Sequence, residues 1–193
     1  MSDSWDDYAS DWDNNPEVIL YAQKAFESLP DSIELSGLRV LDFGCGTGQL
    51  SQRLAPLVKD LVALDPAQKM IQVLDAKHIQ NISTLAIQLD KHSLKENIQL
   101  QEKFDLIVAS SVCTFLEDYP ASLKFIKRLL ADKGTFIQWD WLASDEKPDF
   151  GFSQDFVSNT LKQAGFNTVS TCQAFSLNGA KGNMKVLMAQ ASL

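Results

Sequence analysis

The chain has 193 residues, of which 45% are hydrophobic and 22% charged, a composition typical of a globular protein with one buried core. The formal net charge is −8 and no basic tract stands out, which disfavours a nucleic acid as partner. No run of 18 apolar residues predicts a membrane span, and the acidic N-terminus is unlike a secretory signal.

The predicted elements alternate between amphipathic helices and apolar strands. Asn15 and Pro16 predict the start of a helix over residues 16–28. Helices are predicted to follow the first, second, fourth and fifth of five apolar strands, at residues 38–44, 61–65, 84–90, 104–112 and 134–142. Gly165 closes the last of these helices, residues 153–164, as a left-handed cap. Two further β-like runs, residues 167–175 and 184–191, predict an antiparallel hairpin with a long loop. Without repeats or linkers, this order predicts a single α/β domain with a largely parallel sheet and helices on both faces.

A glycine-rich turn follows the first strand, in "VLDFGCGTGQLSQRL" at residues 40–54. Glycine permits positive φ and close approach of the backbone to a ligand, and amides at a helix N-terminus favour an anionic group. The dinucleotide fingerprint needs glycine where Gln49 stands, and a Walker A loop needs a Gly-Lys-Ser/Thr ending that is absent. A tight turn without a ligand is the alternative interpretation.

Two acids end the next two predicted strands. Asp65 is placed to accept the hydroxyls of a ribose, although it can instead cap a helix that starts at Pro66. Asp90 can accept from the exocyclic amine of an adenine, or it can be a solvated turn residue.

The sequence here resembles the class I S-adenosylmethionine (SAM)-dependent methyltransferases, in particular the methyltransferase type 11-like group. Four segments carry the resemblance: "VLDFGCGTGQLS", "LVALDPAQKMIQVL", "IQLDKHSL" and "FDLIVASSVCTFLED". The resemblance implies a Rossmann-like, doubly wound sheet of seven strands in the order 3-2-1-4-5-7-6, with strand 7 antiparallel. It also implies SAM as cofactor, held by ten matching positions: Asp42, Gly44, Cys45, Gly46, Asp65, Pro66, Met70, Asp90, Lys91 and Ser110.

The N-terminal segment carries three aromatic residues, Trp5, Tyr8 and Trp12, whose spacing puts them on one face of a helix. They can simply pack on the core. The segment also resembles the lid that covers SAM in this family, which would place Tyr8 beside the cofactor. We therefore expect a lid segment at residues 1–30 and the SAM-binding domain at residues 31–193.

The sequence offers two candidates for a general base, His92 after the third strand and Asp140 in the fifth. Each has a structural alternative, a solvated loop histidine and a buried structural acid. Cys45 is interpreted as a small residue that fits the turn rather than a nucleophile. The "NPPY" motif of methyltransferases that act on DNA bases or glutamine is absent, and "SSVC" stands in its place.

We therefore expect methyl transfer from SAM to a small-molecule acceptor. The alternatives are a SAM-binding sensor or regulatory subunit without activity and, disfavoured by Gln49, a nicotinamide oxidoreductase. Three widely spaced cysteines fit neither a zinc site nor a disulfide framework, so we expect a cytoplasmic protein without a metal. No feature indicates an oligomeric state.

Overall fold

The computed structural model describes residues 5–143, 150–179 and 182–193. Its strands are β1 (Arg39–Phe43), β2 (Asp60–Asp65), β3 (Ile82–Ala86), β4 (Phe104–Ser110), β5 (Leu130–Trp141), β6 (Thr168–Gly179) and β7 (Gly182–Ser192). They form one sheet in the order β3-β2-β1-β4-β5-β7-β6. Only β7 pairs antiparallel to its neighbours β5 and β6 among the described ladders, so the predicted order and the antiparallel strand are confirmed.

The chain divides into two compact units, Met1–Glu102 and Lys103–Leu193. The helices of the first unit are α1 (Trp5–Trp12), α2 (Pro16–Glu27), α3 (Ser51–Leu54), α4 (Gln68–Asp75) and α5 (Ser93–Glu96), and those of the second are α6 (Tyr119–Leu129) and α7 (Gln154–Gln163). The predicted division at residue 30 between a lid and a SAM-binding domain stays a prediction. In the described part of the chain, no helix has both the length and the apolar character that a membrane span requires.

Local signals in the first unit place α2 as predicted, because the Asn15 side chain accepts a hydrogen bond from the Glu17 amide at 2.9 Å. Strand β1 is buried and pairs in parallel with β2, so both strands end at the same edge of the sheet. Helix α4 begins at Gln68 rather than Pro66, since Asp65 first accepts from the Ala67 amide at 2.8 Å.

The third strand starts two residues earlier and ends four residues earlier than predicted. It ends at Ala86, and Asp90 lies outside it. The Asp90 carboxylate accepts from the amides of His92 and Ser93 at 2.8 and 2.7 Å, and the Ser93 hydroxyl accepts from the Asp90 amide at 2.8 Å. This reciprocal capping turns the backbone into α5 instead of extending the strand.

Helix caps in the second unit also follow the sequence. Asp118 accepts from the Ala121 amide at 2.8 Å, Ser153 accepts from the Phe156 amide at 3.1 Å, and Gly165 adopts φ +91° after α7. Strand β4 ends two residues earlier than predicted because Ser111 takes φ +58°, and β5 already begins at Leu130.

The prediction of a long loop between the last two strands was wrong. The ladder between β6 and β7 continues from Ser176↔Lys185 to Gly179↔Gly182, through residues that were predicted to be loop. Leu177 is buried, and the Asn183 amide donates to the Asn178 side chain at 2.7 Å across the strands. These contacts satisfy the polar loop residues within the ladder. Residues 180 and 181, the rest of the predicted loop, lie outside the described residues.

Candidate functional site

The glycine turn leaves β1 with all three of its glycines at positive φ: 72° at Gly44, 53° at Gly46 and 80° at Gly48. The amides of Gly44 and Cys45 donate to the Leu64 carbonyl at 2.7 and 3.0 Å, which ties the turn to β2. At Gly48, a Cβ would come within 2.4 Å of a terminal carbon of Leu74. The predicted positive-φ turn is therefore confirmed, and both conformation and packing select glycine there.

Two carboxylates lie against this turn. Asp42 is 1% exposed and accepts from the Ser51 hydroxyl at 2.6 Å, which joins β1 to the start of α3. Asp65 accepts from the Gly46 amide at 2.9 Å, besides its bond from Ala67. Asp65 is therefore held by local backbone amides but is not the N-cap of α4, which is Ala67, and its role at a ribose stays a prediction. Each carboxylate oxygen keeps a further lone pair for a ligand donor.

Burial makes negative charge costly at this site. It raises the pKa of Asp42 to about 7, and the neighbouring Asp65 charge adds to the effect while the Ser51 hydrogen bonds oppose it. Burial also raises the pKa of Asp65, against the stabilising amides of Ala67 and Gly46. A bound cation would lower the cost of both carboxylates.

Cys45 does not have the features of an activated nucleophile. Burial, followed by the charges of Asp42 and Asp65, raises the pKa of its thiol well above the usual value, so the thiol stays protonated at neutral pH. Its sulfur lies 3.5 Å from the Gly46 carbonyl oxygen. The interpretation as a small residue fitting the turn agrees with this environment.

Helix α1 covers the turn and the start of α4. Ala9 packs with Ala67 and Met70, and Trp12 packs against the same cluster. The indole Nε1 of Trp12 lies 3.6 Å from the place that a Cβ on Gly46 would take. Trp5, Tyr8 and Trp12 contact one another with ring centroids 5.9 to 6.4 Å apart, as predicted for one face of a helix. The Tyr8 ring is 43% exposed, and its place beside a cofactor stays a prediction.

Asp13 was missed by the sequence reasoning. One of its carboxylate oxygens accepts from the Thr47 hydroxyl and from the Gln49 amide at 2.8 Å, and the other lies 2.7 Å from the Lys77 ammonium. Lys77 also donates to the Thr47 carbonyl at 2.7 Å. Asp13 is 34 and 36 residues away from Thr47 and Gln49 in sequence, and no local pattern signals such a contact.

Besides Tyr8, four predicted site residues of the first unit are exposed. Pro66 and Lys91 lie on the surface, and Asp90 caps α5 from an exposed position. His92 is also exposed, with its Nε2 2.9 Å from a carboxylate oxygen of Glu96. Their predicted cofactor and base roles stay predictions, and Asp90 and His92 already have partners within α5.

The second unit holds the other predicted base. Asp140 is fully buried and accepts from the Thr114 amide at 3.1 Å and from the Gln138 amide at 2.9 Å. Gln138 in turn accepts from the Tyr119 hydroxyl at 2.6 Å. Burial raises the pKa of Asp140 to about 7, against these hydrogen bonds. Asp140 is as deeply buried as Asp42, and its role as a base stays a prediction. Ser110 ends β4 and is half-buried, and its role at a cofactor stays a prediction.

Comparisons with known proteins agree with this geometry. A family model described as a methyltransferase domain matches residues 15–155. A ubiquinone biosynthesis O-methyltransferase of Bradyrhizobium diazoefficiens is 35% identical over 103 residues, which cover 53% of this chain and 40% of that protein. The chain spans about half the length of the curated relatives it matches.

Solved structures share the fold along nearly the whole chain. DhpI in complex with SAM and HEP matches with a TM-score of 0.72 at 17% identity, covering 98% of this chain and 94% of that chain. The N-methyltransferase NodS of Bradyrhizobium japonicum WM9, solved with S-adenosylhomocysteine (SAH), matches with a TM-score of 0.65 at 23% identity, covering 93% and 88%. Since the family model covers more than half of the sequence, the chain belongs to the methyltransferase domain family, with the fold of the class I SAM-dependent enzymes.

Proposed function

We propose that this chain transfers the methyl group of SAM to a small-molecule acceptor and releases SAH. The observation that carries the proposal is the turn after β1, where three glycines at positive φ lie against two buried carboxylates. Backbone free of side chains and an acidic lining together favour a ligand that carries positive charge.

The residues at the turn fit SAM. Its sulfonium and ammonium groups are cations, and Asp42 and Asp65 are carboxylates whose ionised forms a nearby cation would stabilise. Asp65 ends β2, the position from which a carboxylate accepts ribose hydroxyls in doubly wound folds. Gly44, Cys45 and Gly46 would lie against the amino-acid and ribose portions, with Met70 near the adenine.

When bound, SAM supplies an electrophilic methyl group on a positively charged sulfur. The bond from the methyl carbon to sulfur breaks as the bond to the acceptor forms, and the sulfur keeps the electron pair. The work of the protein is to align the two partners and to exclude water. Helix α1, which already buries Met70 and places Trp12 over Gly46, is suited to the second task.

The acceptor class rests on charge and on relatives. A surface with net charge −8 repels long nucleic acids, and relatives are named for O-methylation in ubiquinone biosynthesis. We therefore propose an oxygen atom of a small organic molecule as the first acceptor class to test.

Calorimetry of the full chain with SAM, SAH and NAD tests the cofactor. We expect SAM and SAH to bind, and Asp65→Asn to weaken SAM by at least about tenfold through lost charge-assisted hydrogen bonds. Asp31→Asn, an exposed acid on a turn, is the matched control. Binding of NAD without SAM would overturn the proposal.

Release of SAH in the presence of phenolic and carboxylic small molecules tests the reaction. Turnover with these compounds, and none with RNA, DNA or protein fractions, is the expected result. SAM binding without methyl transfer to any fraction would instead favour a sensor or regulatory subunit.

Deletion of residues 1–15 tests the lid. Loss of α1 removes the cover from Met70 and the turn, so we expect weaker SAM binding by a domain that remains folded by circular dichroism. An unchanged affinity would show that α1 is not a lid.

A further inference from the structure

Helix α1 is followed directly by a carboxylate that joins three parts of the first unit. Asp13 stands one residue after α1, Thr47 and Gln49 belong to the glycine turn, and Lys77 lies just beyond α4. The Asp13 side chain is 29% exposed and the Lys77 side chain 20%, so solvent screens the ion pair only in part.

We propose that Asp13, together with Lys77, is a latch that holds α1 on the glycine turn and thereby sets how fast the cofactor site exchanges its ligand. The proposal rests on the proposed function for the identity of that ligand. Asp13 is a positioning residue, because it acts through α1 and the turn and not on the reacting atoms.

The contacts on both sides of Asp13 argue for a latch. On one side, Trp12 is its neighbour in the chain and covers Gly46. On the other side, Lys77 contacts both the Asp13 carboxylate and the Thr47 carbonyl. It therefore joins the glycine turn to the residue that follows α1. If the contacts of Asp13 with the turn broke, Trp12 would no longer be held beside Gly46.

The latch is ionised throughout the neutral range. Burial opposes the charge of Asp13, but hydrogen bonds from Gln49, Lys77 and Thr47 outweigh it and hold the pKa of Asp13 below its usual value. Only acid below the ordinary range of aspartate would protonate it. Opening at neutral pH must therefore break the bonds of a charged group, which makes the latch slow to release.

The N-terminal end of α1 is held by different contacts. The Asp6 side chain accepts from the Lys69 amide at 2.8 Å, at the first turn of α4, in an exposed position. Exposed polar contacts contribute little compared with half-buried charged ones. The test is therefore placed at Asp13, where the charged contacts are partly buried.

The experiment uses the full chain with Asp13→Asn, Lys77→Gln and the double variant. Asp11→Asn is the control, since Asp11 carries the same charge within α1 and makes no side-chain hydrogen bond or ion pair with any described residue. Two rates are measured: amide hydrogen exchange of residues 5–12 without ligand, and dissociation of SAH by stopped flow.

We expect both single variants to speed each rate by about tenfold, the scale of a lost charge-assisted hydrogen bond, and Asp11→Asn to change neither. The double variant should match the single variants, because the two residues act as one unit. Rates in Asp13→Asn equal to those in Asp11→Asn would overturn the latch. If the wild-type chain binds no SAM or SAH, the proposed function fails, whereas exchange of residues 5–12 still reports on the latch.

Discussion

Each unit of the molecule contains a buried aspartate on a parallel strand whose pKa is raised to about 7 by burial, Asp42 on β1 and Asp140 on β5. Their surroundings differ. Asp42 precedes the glycine turn and accepts from the Ser51 hydroxyl, and the neighbouring Asp65 accepts from the Gly46 amide of the turn and from the Ala67 amide. Asp140 is bound by Gln138 and the Thr114 amide, and the Tyr119 hydroxyl completes the chain of bonds.

The difference shows what makes a buried acid available for binding. Beside Asp42, the backbone amides of Gly46 and Ala67 fix the Asp65 carboxylate without covering it with side chains, so a ligand can approach Asp65 closely. At Asp140, a network of Gln138, Tyr119 and the Thr114 amide satisfies the carboxylate and encloses it, which makes the region rigid. A raised pKa alone therefore does not separate a binding acid from a structural one, and we base the distinction on the position of Asp42 beside the glycine turn and Asp65.

The largest effect is expected at the glycine turn. Gly48→Ala should lower the free energy of unfolding by about 4 kcal/mol, because a side chain at positive φ and a collision with Leu74 add together. Gly37→Ala is the matched control, since it has φ +81° but no atom within 4 Å of the new Cβ, and should cost only about 1 kcal/mol. Urea denaturation measures both. Equal losses would mean that packing at the turn contributes nothing.

The enclosed network of the second unit should be nearly as sensitive. Asp140→Ala leaves the donors of Gln138 and Thr114 without an acceptor, and we expect a loss of about 3 kcal/mol in unfolding free energy. Asp140→Asn keeps the shape and one acceptor, so its loss should be about 1 kcal/mol. If the alanine variant is as stable as the asparagine variant, the network does not hold the unit together.

These two regions also differ in how far the sequence predicted them. Strand β1, the turn glycines and the helix ends at Asn15 and Gly165 were predictable because each depends on residues a few positions apart. The contacts of Asp13 and the enclosure of Asp140 join distant segments, so no local spacing records them. The end of β3 failed for a different reason: an apolar run continued toward Asp90, but the capping bonds of Asp90 determined the backbone.

The pH dependence of SAM binding separates the two acids. In the free protein the raised pKa of Asp42 means that a proton is bound up to about pH 7, and a cationic ligand requires its loss. SAM affinity should therefore rise by about tenfold from pH 6 to pH 8 in the wild type, beyond the change seen in Asp42→Asn. Asp42→Asn keeps the titrations of Asp65 and of the ligand itself, so the difference between its profile and that of the wild type reports on Asp42.

Asp140→Asn is the second control in this titration, because Asp140 belongs to the enclosed network. Its pH profile should match that of the wild type, which calorimetry at several pH values measures. A flat profile in the wild type would contradict the role assigned to Asp42. A profile flattened by Asp140→Asn and not by Asp42→Asn would reverse the roles of the two acids.

The smallest change in stability is expected at His92. It is the exposed one of the two base candidates, and Asp140 is the buried one. Its side chain is 77% exposed and that of Glu96 is 61% exposed, so solvent screens their contact. His92→Ala should lower the unfolding free energy by less than about 0.5 kcal/mol, measured by urea denaturation, with Glu96→Ala as the matched removal of the same pair. This small structural cost makes the variant informative about chemistry, because lost turnover cannot then be assigned to unfolding.

A large loss of methyl transfer in His92→Ala, with Glu96→Ala unaffected, would identify His92 as the base. Equal turnover in both variants would mean that the exposed pair is only a surface contact at α5.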